Sequence, residues 1–450
     1  MVTKKAVINL LMLASFPLFG IGNYVSATMS PTLGFLVGSS AWLAIIAFYV
    51  LDAIYIKNLV YRVNGNFWLM VLVLASSVFA LLYANYRGFP GMKWTISIAS
   101  AITLCIPFPA FVITYLYNQK DPDKVLRIVG NSIILLLLAN VVGYYGLGLS
   151  NQGHSLEGRL NLPFFGGLYS AANLVATINL ILLASLRHIW HRPSKLFSLK
   201  TIMMGFYFMA NLLVIFYVNS RLVTVVFLLV VGLFIFKCLR SRVLYWTSWA
   251  MIPLLLSMGV ILYQILSMPV FAFLLQRVDF EDVVTFHGRS YLWERGLEWL
   301  FTDARGILFG NGQNGQYWLG LLTDIGRMWN PEAEHGDAYI HFHSTTLELL
   351  VNNGLFGFLP YAILLYRLLQ YYRKEYVKGT QDGLLLIAQV FTLFTLQVSM
   401  FYYAGGFGFI LFALMVSRIS LTGLAPSKPL DDAPRSEVLE PAEEVVYGDT

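Results

Sequence analysis

The residues able to do chemistry crowd into one stretch of the chain. Pro331 to Ser344 reads Pro-Glu-Ala-Glu-His-Gly-Asp-Ala-Tyr-Ile-His-Phe-His-Ser, and Glu332, Glu334, His335, Asp337, His341 and His343 place six potential ligands or acid–base groups within twelve residues. A divalent ion held among them would polarise a phosphate. A histidine poised near neutral pH would instead take a proton from a hydroxyl. The spacing fits no zinc pattern such as His-Glu-x-x-His, and solvated loop residues would read the same way. Just upstream, Gly310-Asn311-Gly312-Gln313-Asn314-Gly315 is a literal G-x-G-x-x-G. It lacks the βαβ setting of a dinucleotide site. Either its backbone approaches a sugar or phosphate at Gly310, Gly312 and Gly315, or it is a plain turn.

The elements that must position these groups are apolar helices. Only 12% of the 450 residues are charged while 58% are hydrophobic, and the mean hydropathy is +0.67. A soluble domain carries roughly 25% charge, so a single large soluble enzyme and a disordered chain are both excluded. Twelve apolar runs approach the roughly 20 residues that a helix needs to cross a bilayer. They cover 6–22, 33–56, 67–86, 94–117, 128–149, 164–186, 201–218, 222–236, 244–266, 346–366, 384–402 and 407–421. The first is read as a span, not a cleaved leader, because other spans follow at once. The fold class expected is an all-α integral membrane protein of about 12 transmembrane helices with one large periplasmic loop. Its parts are 1–266 (spans one to nine), 267–345 (the loop), 346–422 (spans ten to twelve) and 423–450 (a disordered acidic cytoplasmic tail). Cys105 and Cys238 suggest neither a disulfide framework nor a metal site.

Charge sets the orientation. With both termini cytoplasmic, 21 of the 30 Lys and Arg fall on the inner side, as the positive-inside rule requires. The basic residues lie between apolar runs, a topology signal that excludes nucleic acid as the partner. The nine outer ones are Lys93 and eight arginines: Arg87, Arg159, Arg221, Arg277, Arg289, Arg295, Arg305 and Arg327. Arginine's planar fork suits two-point binding of phosphate, although a bias against outer lysine would give the same count. Arg221 stands at the outer start of a span. A charge costs about 2.5–3.5 kcal/mol at the centre of a membrane helix and less near its ends, so an anionic partner or a lipid head group would favour it there. Ser290–Phe301 reads as an amphipathic helix with Leu292, Trp293, Gly296, Leu297 and Leu300 on one face and Arg289 at its start, where a helix N-terminus favours an anion. His343 directly precedes the tenth span, at the lipid–water boundary.

Four patterns, in this order, resemble the bacterial O-antigen polymerase and O-antigen ligase superfamily. They are Gly158-Arg159-Leu160 followed by Asn173-Leu174-Val175-Ala176; Ser220-Arg221; Arg289-Ser290-Tyr291-Leu292-Trp293 followed by Leu308-Phe309-Gly310-Asn311-Gly312; and His343-Ser344-Thr345-Thr346-Leu347 followed by Asn353-Gly354-Leu355-Phe356-Gly357. Ser344 stands where the family usually has Asn. The resemblance implies a GT-C-like, metal-independent, inverting membrane glycosyltransferase of the bacterial inner membrane that uses no cofactor. Its donor would be an oligosaccharide on a polyprenyl pyrophosphate carrier, with membrane lipid around it and a chain-length regulator and a flippase of the same pathway as partners. By the same resemblance Arg221 and Arg289 would grip the pyrophosphate, with Arg159 beside them, and His343 would take the acceptor's proton. A polymerase is favoured over a ligase that transfers to lipid A core. A lipid-linked glycan flippase is the reading from another class, but the spans carry almost no mid-membrane charge and the longest loop does not divide the chain into halves.

Overall fold

The computed structural model describes residues 3–56, 63–88, 94–150, 160–166, 168–190, 197–218, 220–243, 245–246, 289–325, 341–395 and 406–430. The chain is an all-α integral membrane protein, and among the described residues no strand forms. Its helices are α1 Lys4–Thr28, α2 Pro31–Ile56, α3 Gly65–Arg87, α4 Trp94–Cys105, α5 Pro107–Tyr117, α6 Asp123–Val141, α7 Leu168–Trp190, α8 Leu199–Val218 and α9 Arg221–Ile235. The loop region adds α10 Arg289–Thr302, α11 Ala304–Phe309 and α12 Gly315–Trp318, and the chain closes with α13 Thr345–Lys378, α14 Leu385–Thr395 and α15 Phe407–Ser420. Among the described residues, eight helices are long and apolar enough to cross a membrane, and three shorter apolar ones accompany them. Of the expected spans, the ninth, 244–266, falls outside the described residues apart from Tyr245 and Trp246. The fourth breaks at Ile106, because Pro107 cannot donate to the helix before it.

Lipid offers helices no hydrophobic drive to associate, so close approach at small residues holds them together. The α1–α2 seam shows this: a Cβ on Gly22 would stand 2.5 Å from the Gly38 backbone, and one on Gly34 would stand 2.5 Å from the Gly22 carbonyl oxygen. Phe16, Phe19, Trp42, Phe165 and Phe407 fill the adjoining interior with ring contacts. Buried polar side chains tie backbones where packing alone would not fix register. Asn140 accepts from the Phe164 amide at 2.8 Å, and the Ser132 hydroxyl accepts from the Phe16 amide at 3.2 Å.

The end of the bundle away from the large loop is closed by the chain's own C-terminal segment. Residues 423–430 are expected to belong to a disordered acidic tail, yet the structure docks them. The Asp123 carboxylate accepts from the Ser427 hydroxyl at 2.9 Å and from the Lys428 amide at 2.8 Å. The amides of Gln381 and Leu430 bond across to Lys428 and Gly379 carbonyls. Arg418 donates to Asp382 at 2.8 Å and to the Ala425 carbonyl at 3.3 Å. The reason is compositional: all seven acids of 423–450 lie at or beyond Asp431, so the segment before them has no charge repelling it from buried carboxylates. Residues 431–450 lie outside the described residues.

Candidate active site

Of the groups singled out in the sequence, Arg87, the glycine-rich loop, His341 and His343 lie at the end of the bundle where α3 stops and α13 starts. Two helix faces build the platform. In α10, Leu292, Gly296 and Trp299 face inward at i, i+4 and i+7 and join Phe342, Leu347, Val351 and Leu322 in a small separate core. The expected face is corrected at one position: Leu297 is 48% exposed and Trp299 takes its place, since 3.6 residues per turn put 299, not 297, beside 292 and 296. Gly296 leaves room for Phe342, whose ring would lie 2.9 Å from a Cβ there. The Trp293 indole donates to the Phe342 carbonyl at 2.9 Å.

The glycine-rich loop serves a kink in α13. Gly354 adopts φ +63° and ψ −172° within the helix, a conformation that glycine tolerates and L-residues avoid. The break frees the Val351 and Asn352 carbonyls. The Asn311 amide donates to Val351 at 3.0 Å, the Gly312 amide to Asn352 at 3.0 Å, and the Asn311 side-chain amide to Val351 at 3.0 Å. The Gly315 amide donates to the Asn352 side chain at 2.9 Å, and the Gly310 amide to Gly306 at 2.7 Å. A Cβ on Gly354 would stand 2.5 Å from the Gly310 nitrogen. This corrects the expectation of a sugar or phosphate cradle at Gly310, Gly312 and Gly315. The amides that would point at an anion are bonded to protein, and the glycines allow loop and helix to touch.

Arg87, one of the outer arginines, pins this loop from α3. Its guanidinium donates to Asp303 at 3.0 Å and to the Asn311 side chain at 3.1 Å. Phe79, Tyr83, Phe309 and Phe356 stack edge to face beneath it. The Asn353 side chain donates to the Ser76 and Ser77 hydroxyls at 3.1 and 2.6 Å, joining α13 to α3. Position alone marks Arg87 as a phosphate candidate, but its contacts make it a clamp for the loop.

His343 sits where α13 begins. Its backbone lies at φ +51°, uncommon for a residue with a Cβ and found preferentially where surrounding structure enforces a functional geometry. Ser344 is the N-cap, its hydroxyl accepting from the Leu347 amide at 3.4 Å. The departure of Ser344 from the family's usual Asn therefore costs little, as both residues cap helices well. Two residues earlier, His341 Nδ1 lies 3.2 Å from a Glu348 carboxylate oxygen, and the Tyr317 hydroxyl lies 2.9 Å from His341 Nε2. The sequence reading missed Glu348 because it looked like an ordinary first-turn acid. The signal was its spacing of seven from His341, which brings a residue before a cap and one in the first turn together.

Of the other expected ligands, Arg159 lies outside the described residues, as do Glu332, Glu334, His335 and Asp337. The backbones of Arg221 and Arg289 are placed and open α9 and α10; their side chains lie outside what is described. Each therefore stands at a helix N-terminus, where free amides favour an anion. Among the described residues no group of His, Cys, Asp and Glu has the arrangement of a metal site.

A comparison with known protein families falls on this same stretch. Residues 206–362 match the family model described as O-antigen ligase, a segment that contains Arg221, Arg289, the glycine-rich loop and His343. The exopolysaccharide production protein ExoQ of Rhizobium meliloti (strain 1021) is 32% identical over 81 residues, covering 18% of this chain and 18% of that relative. The resemblance to the O-antigen polymerase and O-antigen ligase superfamily is thereby borne out, and the family-model match covers the part of the chain that holds the candidate site.

Proposed function

We propose that the protein is a polysaccharide repeat-unit polymerase, an inverting and metal-independent membrane glycosyltransferase working at the periplasmic face. The donor is a glycan on polyprenyl pyrophosphate, and the acceptor is a hydroxyl of a second lipid-linked glycan. The acceptor oxygen forms the new bond to the anomeric carbon while the bond from that carbon to the pyrophosphate oxygen breaks. The pyrophosphate leaves with the electron pair and stays on its carrier. His343 takes the hydroxyl proton, and Arg221 and Arg289, with Arg159, stabilise the negative charge that the leaving pyrophosphate gains by charge-assisted bonds. Activation already resides in the leaving group, so no nucleotide is needed outside the cell.

The observation that carries this reading is the contiguous family match over 206–362, which spans two arginine-headed helices and a histidine held in strained backbone. A relative named for exopolysaccharide production favours polymerisation. The family description, O-antigen ligase, favours the second reading, transfer of a finished chain to lipid A core. Deletion followed by sizing of surface and lipid-linked glycans separates them. Loss of a polymerase leaves single repeat units; loss of a ligase leaves full-length chains on the carrier. Purified protein given lipid-linked glycan alone should yield longer lipid-linked glycan, whereas translocation without bond formation would favour a flippase and sink both enzyme readings.

A further inference from the structure

The proposed reaction uses one histidine, yet two flank Phe342, and a single buried carboxylate meets the ring of the first and the backbone amide between them. Glu348 is 1% exposed and lies in the first turn of α13. One of its oxygens accepts from the Gln316 side-chain amide and lies 3.2 Å from His341 Nδ1. The other accepts from the Phe342 amide at 3.3 Å. A charge this deeply buried is costly unless its lone pairs are satisfied. Here two donors and an imidazole nitrogen converge on it, from α12, from the backbone between the two histidines and from His341. The helix N-terminus adds favourable partial charge.

The consequences for the two histidines differ. His341 is held by its ring: Glu348 on Nδ1, and the Tyr317 hydroxyl within 3.0 Å of both nitrogens. Its side chain nonetheless keeps 32% of its surface exposed, so the ring is fixed while remaining open to solvent. A carboxylate held against one imidazole nitrogen fixes the orientation of the ring. His343 is held by its backbone. Phe342 is bonded at both its N–H, by Glu348, and its C=O, by the Trp293 indole. Both peptide groups of Phe342 are thus fixed just where the chain enters the φ +51° conformation of His343. Release of either bond would let that residue relax to an ordinary conformation.

We propose that Glu348 is a positioning residue of the transfer site, orienting the His341 imidazole directly and the His343 imidazole through the Phe342 backbone. This rests on the glycosyltransferase reading above. The groups facing His341 are Glu348 on α13 and Tyr317 and Gln316 on α12. The charged residues of α10, the helix packed on Phe342, are Arg289 at its start, whose side chain lies outside what is described, and Glu294, Arg295 and Glu298, all exposed.

The test compares wild type, Glu348→Gln, Glu348→Asp and His341→Gln in full-length purified protein, using lipid-linked glycan as both donor and acceptor. Glu348→Gln keeps the size and the acceptor for the Phe342 amide but removes the charge. Its kcat should fall on the order of 100-fold with KM within about twofold, since donor binding by the arginines is untouched. His341→Gln should lower kcat with KM likewise kept, and Glu348→Asp should recover part of kcat. A purely structural carboxylate would instead lower thermal stability and disturb KM and kcat together, with no rescue by Glu348→Asp; that result overturns the proposal, as does a Glu348→Gln enzyme with wild-type kcat. If wild type forms no product here or with lipid A core as acceptor, the glycosyltransferase reading fails and takes the proposal with it. An active wild type beside an unimpaired Glu348→Gln removes the positioning role alone.

Discussion

At the scale of single residues, side-chain geometry matters more than charge. Arg289 heads α10, and if it grips a diphosphate through two parallel N–H bonds, lysine cannot replace it although the charge is kept. Arg289→Lys should lose most transfer activity, measured as product per minute at saturating acceptor; near-normal turnover would count against phosphate gripping at this position. His343→Ala should abolish turnover while lipid-linked donor still binds, as followed by co-purification of the donor; retained turnover would remove His343 from proton transfer. Residue type and placement alone single out these arginines and histidines as candidates. The roles of Glu348 and Arg87 were not legible in this way, because they depend on contacts between segments far apart in sequence, such as Arg87 to Asp303.

At the scale of elements, periodicity gave the helices and composition gave the apolar spans, but irregular backbone hid what the glycines do. A G-x-G-x-x-G reads as an anion loop until its amides are seen to be bonded to carbonyls opened at Gly354. Nothing in the sequence pairs a loop at 310 with a helix kink at 354. Gly354→Ala should be harmful twice over, through a forbidden φ and through collision with the Gly310 nitrogen 2.5 Å from the new Cβ. A destabilisation of about 2–4 kcal/mol is expected, visible as earlier thermal unfolding and faster proteolysis between α11 and α13. An unchanged unfolding midpoint would show that the loop is not held by this contact. The α10 face was read correctly except at Leu297, where an aromatic two positions on packs instead.

At the scale of the whole molecule, charge asymmetry and span spacing sufficed to place the chain in a membrane, while tail composition averaged over 423–450 concealed a docked segment. Removing 431–450 should leave stability and activity unchanged. Removing 423–450 strips Asp123 of two hydrogen bonds and Arg418 of one, and should cost about 2–4 kcal/mol at roughly 1 kcal/mol or more per bond, read as a lower unfolding midpoint in detergent. Equal midpoints for the two truncations would show that the docking adds nothing. Part of this docking is pH-dependent. Lys428, with Arg127, holds the Asp121 carboxyl below its usual range. Its contribution is therefore complete above the unfolded value of about 3.9 and disappears only as pH drops through the lowered folded value, so the neutral range should show no change from this pair.

The bend in α13 also limits how the protein can open. An unsupported break in a membrane helix is a natural hinge, but here the Val351 and Asn352 carbonyls are already occupied by neighbours from 310–315. Swivelling the stub that follows His343 would mean surrendering several buried bonds at once. The stub, the 304–318 segment and α3 should thus travel as one rigid lever, and a doorway for the carrier lipid of the proposed donor would have to be cut along a different seam.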